Sequence, residues 1–234
     1  MSIYDKVRTL ISALGWVDAS IYAMNRCCQA AGGYFGITRY VLVAQPVLQN
    51  SLLPSNRGGS IVVRELHAVE DLGPDAPLAP ALFAARKARG SICLGAFDRT
   101  RLVGYLYLTV GAHNDEAVFA RFVPLPHRSA VWDYDLFILP KHRAGVVYLR
   151  IWEEVFKFLR KRSIAWSISY IASFNIRSMK SQFRLGAVLV GHFIVIEFGR
   201  RQVILLARRP FVAVGHESGR RPEIRVIAPE RKDI

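Results

Sequence analysis

Cysteine is scarce in this chain of 234 residues, which holds three. Cys27 and Cys28 are adjacent and Cys93 stands alone, so no two cysteines have the spacing of a zinc or redox motif. Structural disulfides belong to oxidising compartments. We therefore expect reduced cysteines, no metal site and a cytoplasmic protein.

Long apolar runs are also missing. No run reaches the roughly 18–20 residues needed to cross a bilayer, and residues 1–13 show no apolar stretch or cleavage pattern of a secretory signal. Hydrophobic residues nevertheless make up 52% of the chain and charged residues 21%. This balance predicts one large folded domain, or one domain with an extension, and no transmembrane span.

Acidic residues are scarce in the C-terminal part of the chain, where basic residues are abundant. The formal net charge is +14, and residues 141–234 carry 19 basic against 7 acidic side chains. Residues 1–59 carry 5 against 2, and residues 60–140 carry 8 against 9. Such a field attracts polyanions: nucleotide phosphates, nucleic acid, acidic carrier proteins or anionic lipid.

The N-terminal 59 residues differ in pattern from the rest of the chain. Apolar residues at helical spacing predict one helix before Gly15 and a second after it, and Tyr40–Val47 has the composition of a strand. Residues 49–60 have linker composition. We predict an N-terminal helical extension with one strand over 1–59, a domain over 60–209 and a basic tail over 210–234.

The domain has a mixed order of elements. The pattern predicts β-α-β-β-β-α-β-α-β-β from Ser60, with Gly111–Arg128 as loop and no clear period in the tail after Pro210. A hairpin turns at Asp98–Thr100, and a long amphipathic helix runs from Gly145 to Arg162. This order predicts an α/β or α+β fold in which helices flank a mixed, mostly antiparallel sheet.

Three segments resemble the GNAT superfamily of N-acetyltransferases, over about residues 60–209. They are "RLVGYLYL" in the hairpin, "DLFILPKHRAG" at the end of the next strand, and "NIRSMKSQFRLGA" at Asn175–Ala187. The resemblance implies an enzyme that transfers an acetyl group from acetyl-CoA, or another acyl-CoA, to a small-molecule or protein amine. It also implies a sheet that splays between the fourth and fifth strands of the domain, with the pantetheine arm of coenzyme A in the gap.

The second segment matches the part of the family that binds the coenzyme. A strand that runs directly into a helix leaves the first N–H groups of the helix open to a phosphate. Gly145 allows close approach, and Arg143 adds a forked donor. The resemblance implies these cofactor-binding residues: Phe137, Ile138, Leu139, His142, Arg143, Ala144, Gly145, Val146, Val147, Asn175 and Ser178. It also implies that a backbone N–H near Ile138–Leu139 polarises the thioester carbonyl.

Catalysis needs a base for the amine and an acid for the leaving thiolate. Asp133 and Asp135 alternate along one strand, and a period of two puts both carboxylates on the face shared with Phe137 and Leu139. Asp133 is the preferred base, and buried carboxylates suit that task. The family often has a tyrosine acid where this chain has Gln182, so Tyr170 is the candidate acid.

The loop also departs from the family pattern of Arg or Gln followed by spaced glycines. Glycine is absent at Val146 and Tyr148, and the loop is shorter after Pro140. The alternatives are a longer acyl chain, carried by coenzyme A or by an acidic acyl carrier protein, with the N-terminal helix touching a membrane, and a domain that binds coenzyme A without turnover. A nucleic-acid-binding domain is disfavoured because aromatics do not interleave with the basic runs.

Overall fold

A computed structural model describes residues 3–30, 32, 34–54, 57–143, 145–219 and 221–230, without the side chains of residues 3–14 and 29. It divides into two compact units. The first holds Met1–Gln45, Ala112–Pro124 and Ile168–Ile234, and the second holds Pro46–Gly111 and Leu125–Ser167. Because each unit collects segments from distant parts of the sequence, neither is a continuous stretch of chain.

The first unit begins with the long helix α1 (Ile3–Ala30). Gly15 has φ 77° and ψ 165°, a conformation that only glycine adopts readily, and it kinks the helix. The predicted break between two N-terminal helices is thereby confirmed. The remaining elements of this unit are β1 (Phe35–Pro46), β5 (His113–Asn114), β6 (Arg121–Leu125), β8 (Trp166–Ala172), α4 (Ile176–Arg184), β9 (Val188–Phe198), β10 (Arg201–Leu206), β11 (Val212–His216) and β12 (Glu223–Ile227).

These strands build two sheets. One has the order β11-β10-β9-β1-β8, and its described ladders β11-β10, β10-β9 and β9-β1 are antiparallel. The other has the order β12-β6-β5. Phe122 of β6 packs against Phe193 of β9, with ring centroids 5.7 Å apart. The apolar side chains between the two sheets form the core of this unit.

Four short strands correct two predictions. Gly111–Arg128 was predicted as loop and the tail after Pro210 as lacking a period, yet they contain β5, β6, β11 and β12. These strands have two to five residues, too few for an alternating pattern to stand out. The partners β6 and β12 are also about a hundred residues apart in sequence.

The second unit is a four-stranded antiparallel sheet with helices on both faces. Its strands β2 (Ile61–Leu66), β3 (Ile92–Asp98), β4 (Arg101–Thr109) and β7 (Ala130–Ile138) have the order β7-β4-β3-β2. Helix α2 (Pro80–Ala88) buries Phe83, and α3 (Val147–Arg160) packs on β2, β3 and β4. The stripe predicted for α3 is confirmed by its buried residues Val147, Ile151, Trp152, Val155, Phe156 and Leu159.

The fold class predicted from the sequence is confirmed: α/β, with mostly antiparallel strands flanked by helices. The predicted hairpin turns at Arg99 and Thr100, where Arg99 has φ 57°. The boundaries at residues 59 and 209, and the splay between the fourth and fifth strands, stay predictions. Within the described residues, no helix is both long and apolar enough to cross a membrane.

Candidate functional site

The junction between β7 and α3 is the segment predicted to hold phosphate. Its turn, Pro140–His142, is a short 3₁₀ helix. Within it His142 N–H donates to the Leu139 carbonyl, Arg143 N–H to Pro140 and Gly145 N–H to His142. These three predicted donors are therefore used inside the turn, and Ala144, also predicted to bind the cofactor, lies outside the described residues.

The start of α3 keeps donors for an anion. Its N-cap, Val146, has no side chain that can cap the helix. The first N–H groups of an α-helix lack a carbonyl partner within the helix, and they sit at the positive end of its dipole. The backbone donors that the turn leaves open to an anion are therefore the N–H groups that begin at Val146.

Gly145 is not required by packing. A Cβ added there would meet only the His142 carbonyl oxygen, at 3.6 Å, an ordinary contact, and its φ is not in the left-handed region. The fold would accept a larger residue at this position. A glycine that the fold does not need is consistent with close approach of a ligand to the backbone.

Arg143 is anchored at the junction. Its Nε donates to the Ile138 carbonyl at 2.9 Å, and its guanidinium lies 6.0 Å from the centre of the Phe137 ring. The residue is exposed, and Lys141 and His142 precede it in the same turn. The result is a fixed guanidinium beside two further basic side chains.

A β-bulge in β7 overturns the prediction that Asp133 and Asp135 share a face. Tyr105 and Tyr107 of β4, two positions apart, pair with Phe137 and Tyr134 of β7, three positions apart. Asp135 has φ 50°. The extra residue breaks the period of two, so the two carboxylates have different surroundings.

Asp133 is buried and accepts a hydrogen bond from Ser167. Ser167 Oγ lies 2.7 Å from Asp133 Oδ2, and Asp133 is 3% exposed. Burial and the nearby Asp133 carboxylate raise the pKa of Tyr148 above its usual range. The preferred base candidate thus sits among hydroxyl groups on the α3 side of β7.

Asp135 instead forms an ion pair with Arg86 of α2. The Arg86 guanidinium also lies 4.7 Å from the centre of the Tyr107 ring and 5.3 Å from that of Tyr134. Arg86 is buried. Asp135 therefore balances the charge of a buried arginine, a task that accounts for its presence without catalysis.

The backbone predicted to polarise the thioester is engaged. Leu139 N–H donates to the Val103 carbonyl at 2.8 Å, and Ile138 pairs with Gly104 in the β4–β7 ladder. The Leu139 donor is therefore unavailable to a carbonyl of a substrate. An added Cβ at Gly104 would come within 2.8 Å of the Phe137 carbonyl oxygen, so this glycine is fixed by the close approach of β7.

Tyr170, in the first unit, donates its hydroxyl to Asp115 Oδ1 at 2.7 Å. Asp115 is buried and also accepts from Ala117 N–H and Val118 N–H, and its Oδ2 lies 3.5 Å from His113 Nε2. Burial and the Asp115 charge raise the pKa of Tyr170 well above its usual range. Sequence reasoning missed Asp115 because it read this segment as loop.

Asn175 caps α4. Its Oδ1 accepts the Ser178 N–H at 3.2 Å, so these two predicted cofactor residues satisfy each other at the helix start. Gln182, in the place of the family's tyrosine, is buried, and its Oε1 has no hydrogen-bond partner within the described part of the chain. The roles predicted for Asn175 and Ser178 stay predictions.

A basic cavity lies beside α3 in the second unit, with a volume of about 310 Å³. It was not predicted from the sequence, because its basic side chains read as the solvated face of a helix. The cavity is lined by Gln49, Asn50, Ser51, Leu53, Pro54, Arg150, Glu153, Phe156, Lys157 and Arg160.

In the described part of the chain, no cluster of His, Cys, Asp or Glu side chains is placed to hold a metal.

No protein-family model matches the chain, and no curated protein matches it. Among solved structures, it is similar to a conserved protein of unknown function from Staphylococcus epidermidis, at 10% identity over 74% of this chain and 66% of that one, with a TM-score of 0.49. It is also similar to a GNAT-family acetyltransferase from Novosphingobium aromaticivorans, at 12% identity over 68% and 62%, with a TM-score of 0.44.

A GCN5-related N-acetyltransferase from Sphaerobacter thermophilus is similar at 14% identity over 73% of this chain and 54% of that one, with a TM-score of 0.41. The chain spans between 57% and 66% of the length of the first three structures that it matches. At this level the likeness carries no statement about activity. Function is therefore inferred from the residues of the chain itself.

Proposed function

We propose that this chain is an N-acyltransferase that moves an acyl group, most simply acetyl, from a coenzyme A thioester to a primary amine. The observation that carries the proposal is the β7–α3 junction. There a strand leads into a helix that lacks a side-chain cap, next to an anchored Arg143 and a Gly145 that packing does not require. Such a helix start suits the pyrophosphate of coenzyme A.

The reaction would proceed by direct attack. The amine nitrogen bonds to the thioester carbonyl carbon, the carbon–sulfur bond breaks, and the amine loses one proton while the thiolate gains one. Asp133, hydrogen-bonded to Ser167, is the proposed acceptor of the amine proton, directly or through water. Tyr170, the acid predicted from the sequence, donates its hydroxyl to Asp115 and has a raised pKa that makes it a weaker proton donor, so we propose that solvent protonates the thiolate.

The main alternative is a longer acyl chain presented by an acidic acyl carrier protein. Its support is the positive charge around the α3 cavity, where Arg150, Lys157 and Arg160 line the opening. Arg150 pairs with Glu153 and Lys157 with Glu154, whereas Arg160 donates to the Leu48 carbonyl, so Arg160 supplies most of the net positive charge at this opening. An acidic carrier would gain association rate from this field.

A thiol-release assay with acetyl-CoA and longer acyl-CoA donors, across a panel of primary amines, tests the proposal. We expect release that depends on the amine. We also expect Asp133→Asn to lower kcat/KM by about 100-fold, the usual scale for a lost general base. Asp75→Asn removes an exposed carboxylate of the same unit and serves as the matched control, with no change expected. Amine-independent release, or equal rates in both variants, would contradict the assignment.

A further inference from the structure

One face of the large sheet in the first unit is apolar and open. Residues that pair across antiparallel strands point to the same side of a sheet. Arg39 of β1 pairs with Ile194 of β9, and the rows continue through β10 to β11. Two cross-strand rows of aliphatic side chains result, here named the open face: Ile194, Leu205, Val212 and Ile196, Val203, Val214.

The opposite side of the same strands is the core. Phe193, Val195 and Ile204, which alternate with the open face, are at most 1% exposed. On the open face Val212 is 57% exposed and Val214 62%. Ile194, Ile196 and Val203 are half-buried, so the exposure of the rows rises toward the edge strand β11. An antiparallel sheet with one solvated face usually places polar residues there, so two exposed valines on an edge strand indicate a contact with something else.

The described polar contacts between side chains of helix α1 and this sheet are with β1. The helix reaches this side of the sheet over β1, where Asp18 of α1 forms an ion pair with Arg39, 2.9 Å between Nη1 and Oδ2. Asn25 of α1 accepts the Ile37 N–H, also on β1. The exposed valines belong to β11, three strands from β1 in the sheet order.

Arginines stand at both ends of these strands. Arg200 and Arg201 follow Gly199 at the β9–β10 turn, and Arg208 and Arg209 lie between β10 and β11, next to the exposed Phe211. All four arginines are exposed, and Arg200 Nε pairs with Glu217 at 2.8 Å. The open face is thus an aliphatic surface with guanidinium groups at either end of its strands.

We propose that the open face docks on an anionic membrane surface. The aliphatic rows would enter the boundary between headgroups and acyl chains, while the arginines would meet lipid phosphates. A second copy fits this surface less well, because face-to-face packing would bring the arginine pairs of both copies together. Nucleic acid would engage the arginines but not the aliphatic rows. The proposal does not depend on acyltransferase activity.

Sedimentation of the full chain with lipid vesicles tests this proposal. We expect binding to vesicles of phosphatidylcholine mixed with phosphatidylglycerol, weakened by salt, and little binding to phosphatidylcholine alone. The double variant Val212→Thr and Val214→Thr keeps β-branched side chains and is expected to lower binding about fivefold. The double variant Arg208→Gln and Arg209→Gln is expected to lower binding to anionic vesicles about tenfold.

Matched controls come from the second unit. Val62→Thr changes an equally exposed strand valine, and Arg57→Gln with Arg101→Gln removes two exposed charges; neither should alter binding. Equal binding to neutral and anionic vesicles, or equal losses in test and control variants, would overturn the proposal. So would a dimer, seen by ultracentrifugation, that the valine variant dissociates, because the face would then belong to a second copy.

Discussion

At the scale of single residues, the β7–α3 junction combines an arginine held by a hydrogen bond with a glycine whose surroundings leave room for a side chain. Arg143 is held by its Nε on the Ile138 carbonyl, whereas Gly145 has room for a side chain that it does not carry. Substitutions at these two residues should therefore have different effects. The first alters the geometry of a charge, and the second alters only what can approach the backbone.

Gly145→Ala is therefore expected to weaken coenzyme A binding without lowering stability. The added methyl group meets no protein atom closer than 3.6 Å, but it would occupy the space beside the helix start. Replacing a glycine by alanine at an unstrained position stabilises a protein by about 0.4–1 kcal/mol. Thermal unfolding together with calorimetric titration of coenzyme A measures both effects.

The control is Gly191→Ala in β9, where the added methyl group would meet only a Leu42 side-chain carbon, at 3.4 Å. It should change neither coenzyme A affinity nor the melting temperature by much. If Gly145→Ala bound coenzyme A as tightly as Gly191→Ala does, the junction would not be a phosphate site.

At the scale of elements, α3 is tied to the preceding chain by one carboxylate. Glu153 Oε1 accepts from the Ser51 hydroxyl and from the N–H groups of Leu52 and Leu53, and Oε2 accepts from Arg150. Burial alone would raise the pKa of Glu153, but these hydrogen bonds outweigh it and lower the pKa below its ordinary value. The cavity wall beside α3 is held in place by this group.

Glu153→Gln should destabilise the chain by about 2–3 kcal/mol, because charged hydrogen bonds are lost and buried donors keep poorer partners. Glu154→Gln, the next residue, removes an exposed pair with Lys157 and should cost at most about 0.5 kcal/mol. Urea unfolding with equal slopes in both variants measures the difference. Similar losses in the two variants would show that Glu153 does not tie the segment.

Elements whose sequence pattern extends over many residues were predictable from the sequence. The stripe of α3 and the continuous apolar runs of β3 and β4 extend over enough residues for their pattern to be read. The bulge at Asp135 was not predictable, because one extra residue in a strand leaves no mark on composition. For that reason Asp133 was identified as buried in a strand, whereas its separation from Asp135 required the structure.

The same limit applies to the site. A strand, a basic turn and a helix were predicted in order, but the 3₁₀ turn that consumes the N–H groups of His142 and Arg143 depends on backbone angles. The role of Asp115 was not predicted, because its hydrogen-bond partner Tyr170 lies fifty-five positions away in the sequence. Contacts between distant segments are set by the fold as a whole.

At the scale of the whole molecule, tyrosine is buried in both units. Burial, with Glu197 and Asp115 nearby, raises the pKa of Tyr40 to about 12. Burial also raises the pKa values of four further tyrosines above their usual range: Tyr105, Tyr107, Tyr148 and Tyr170. These five are more than half of the nine tyrosines in the chain.

Stability should therefore fall in alkali. Above about pH 10 an unfolded chain loses its phenolic protons while the folded chain keeps them. In this range the folded state binds more protons than the unfolded state. The free energy of unfolding therefore keeps its maximum tyrosine contribution below about pH 10 and falls as the pH rises through about 12. Ultraviolet absorbance should show at least five tyrosines ionising together with unfolding, and all nine near pH 10 in urea. Ionisation of all nine near pH 10 in the folded chain would contradict their burial.

Calorimetric titration of coenzyme A into the full chain tests the central claim most directly. We expect binding, and we expect Arg143→Gln to weaken it about tenfold or more, as for a lost charged hydrogen bond to phosphate. Lys141→Gln removes the same charge from an exposed side chain of the same turn and should weaken binding only about twofold. Absence of binding, or equal losses in the two variants, would contradict a coenzyme A site at the β7–α3 junction.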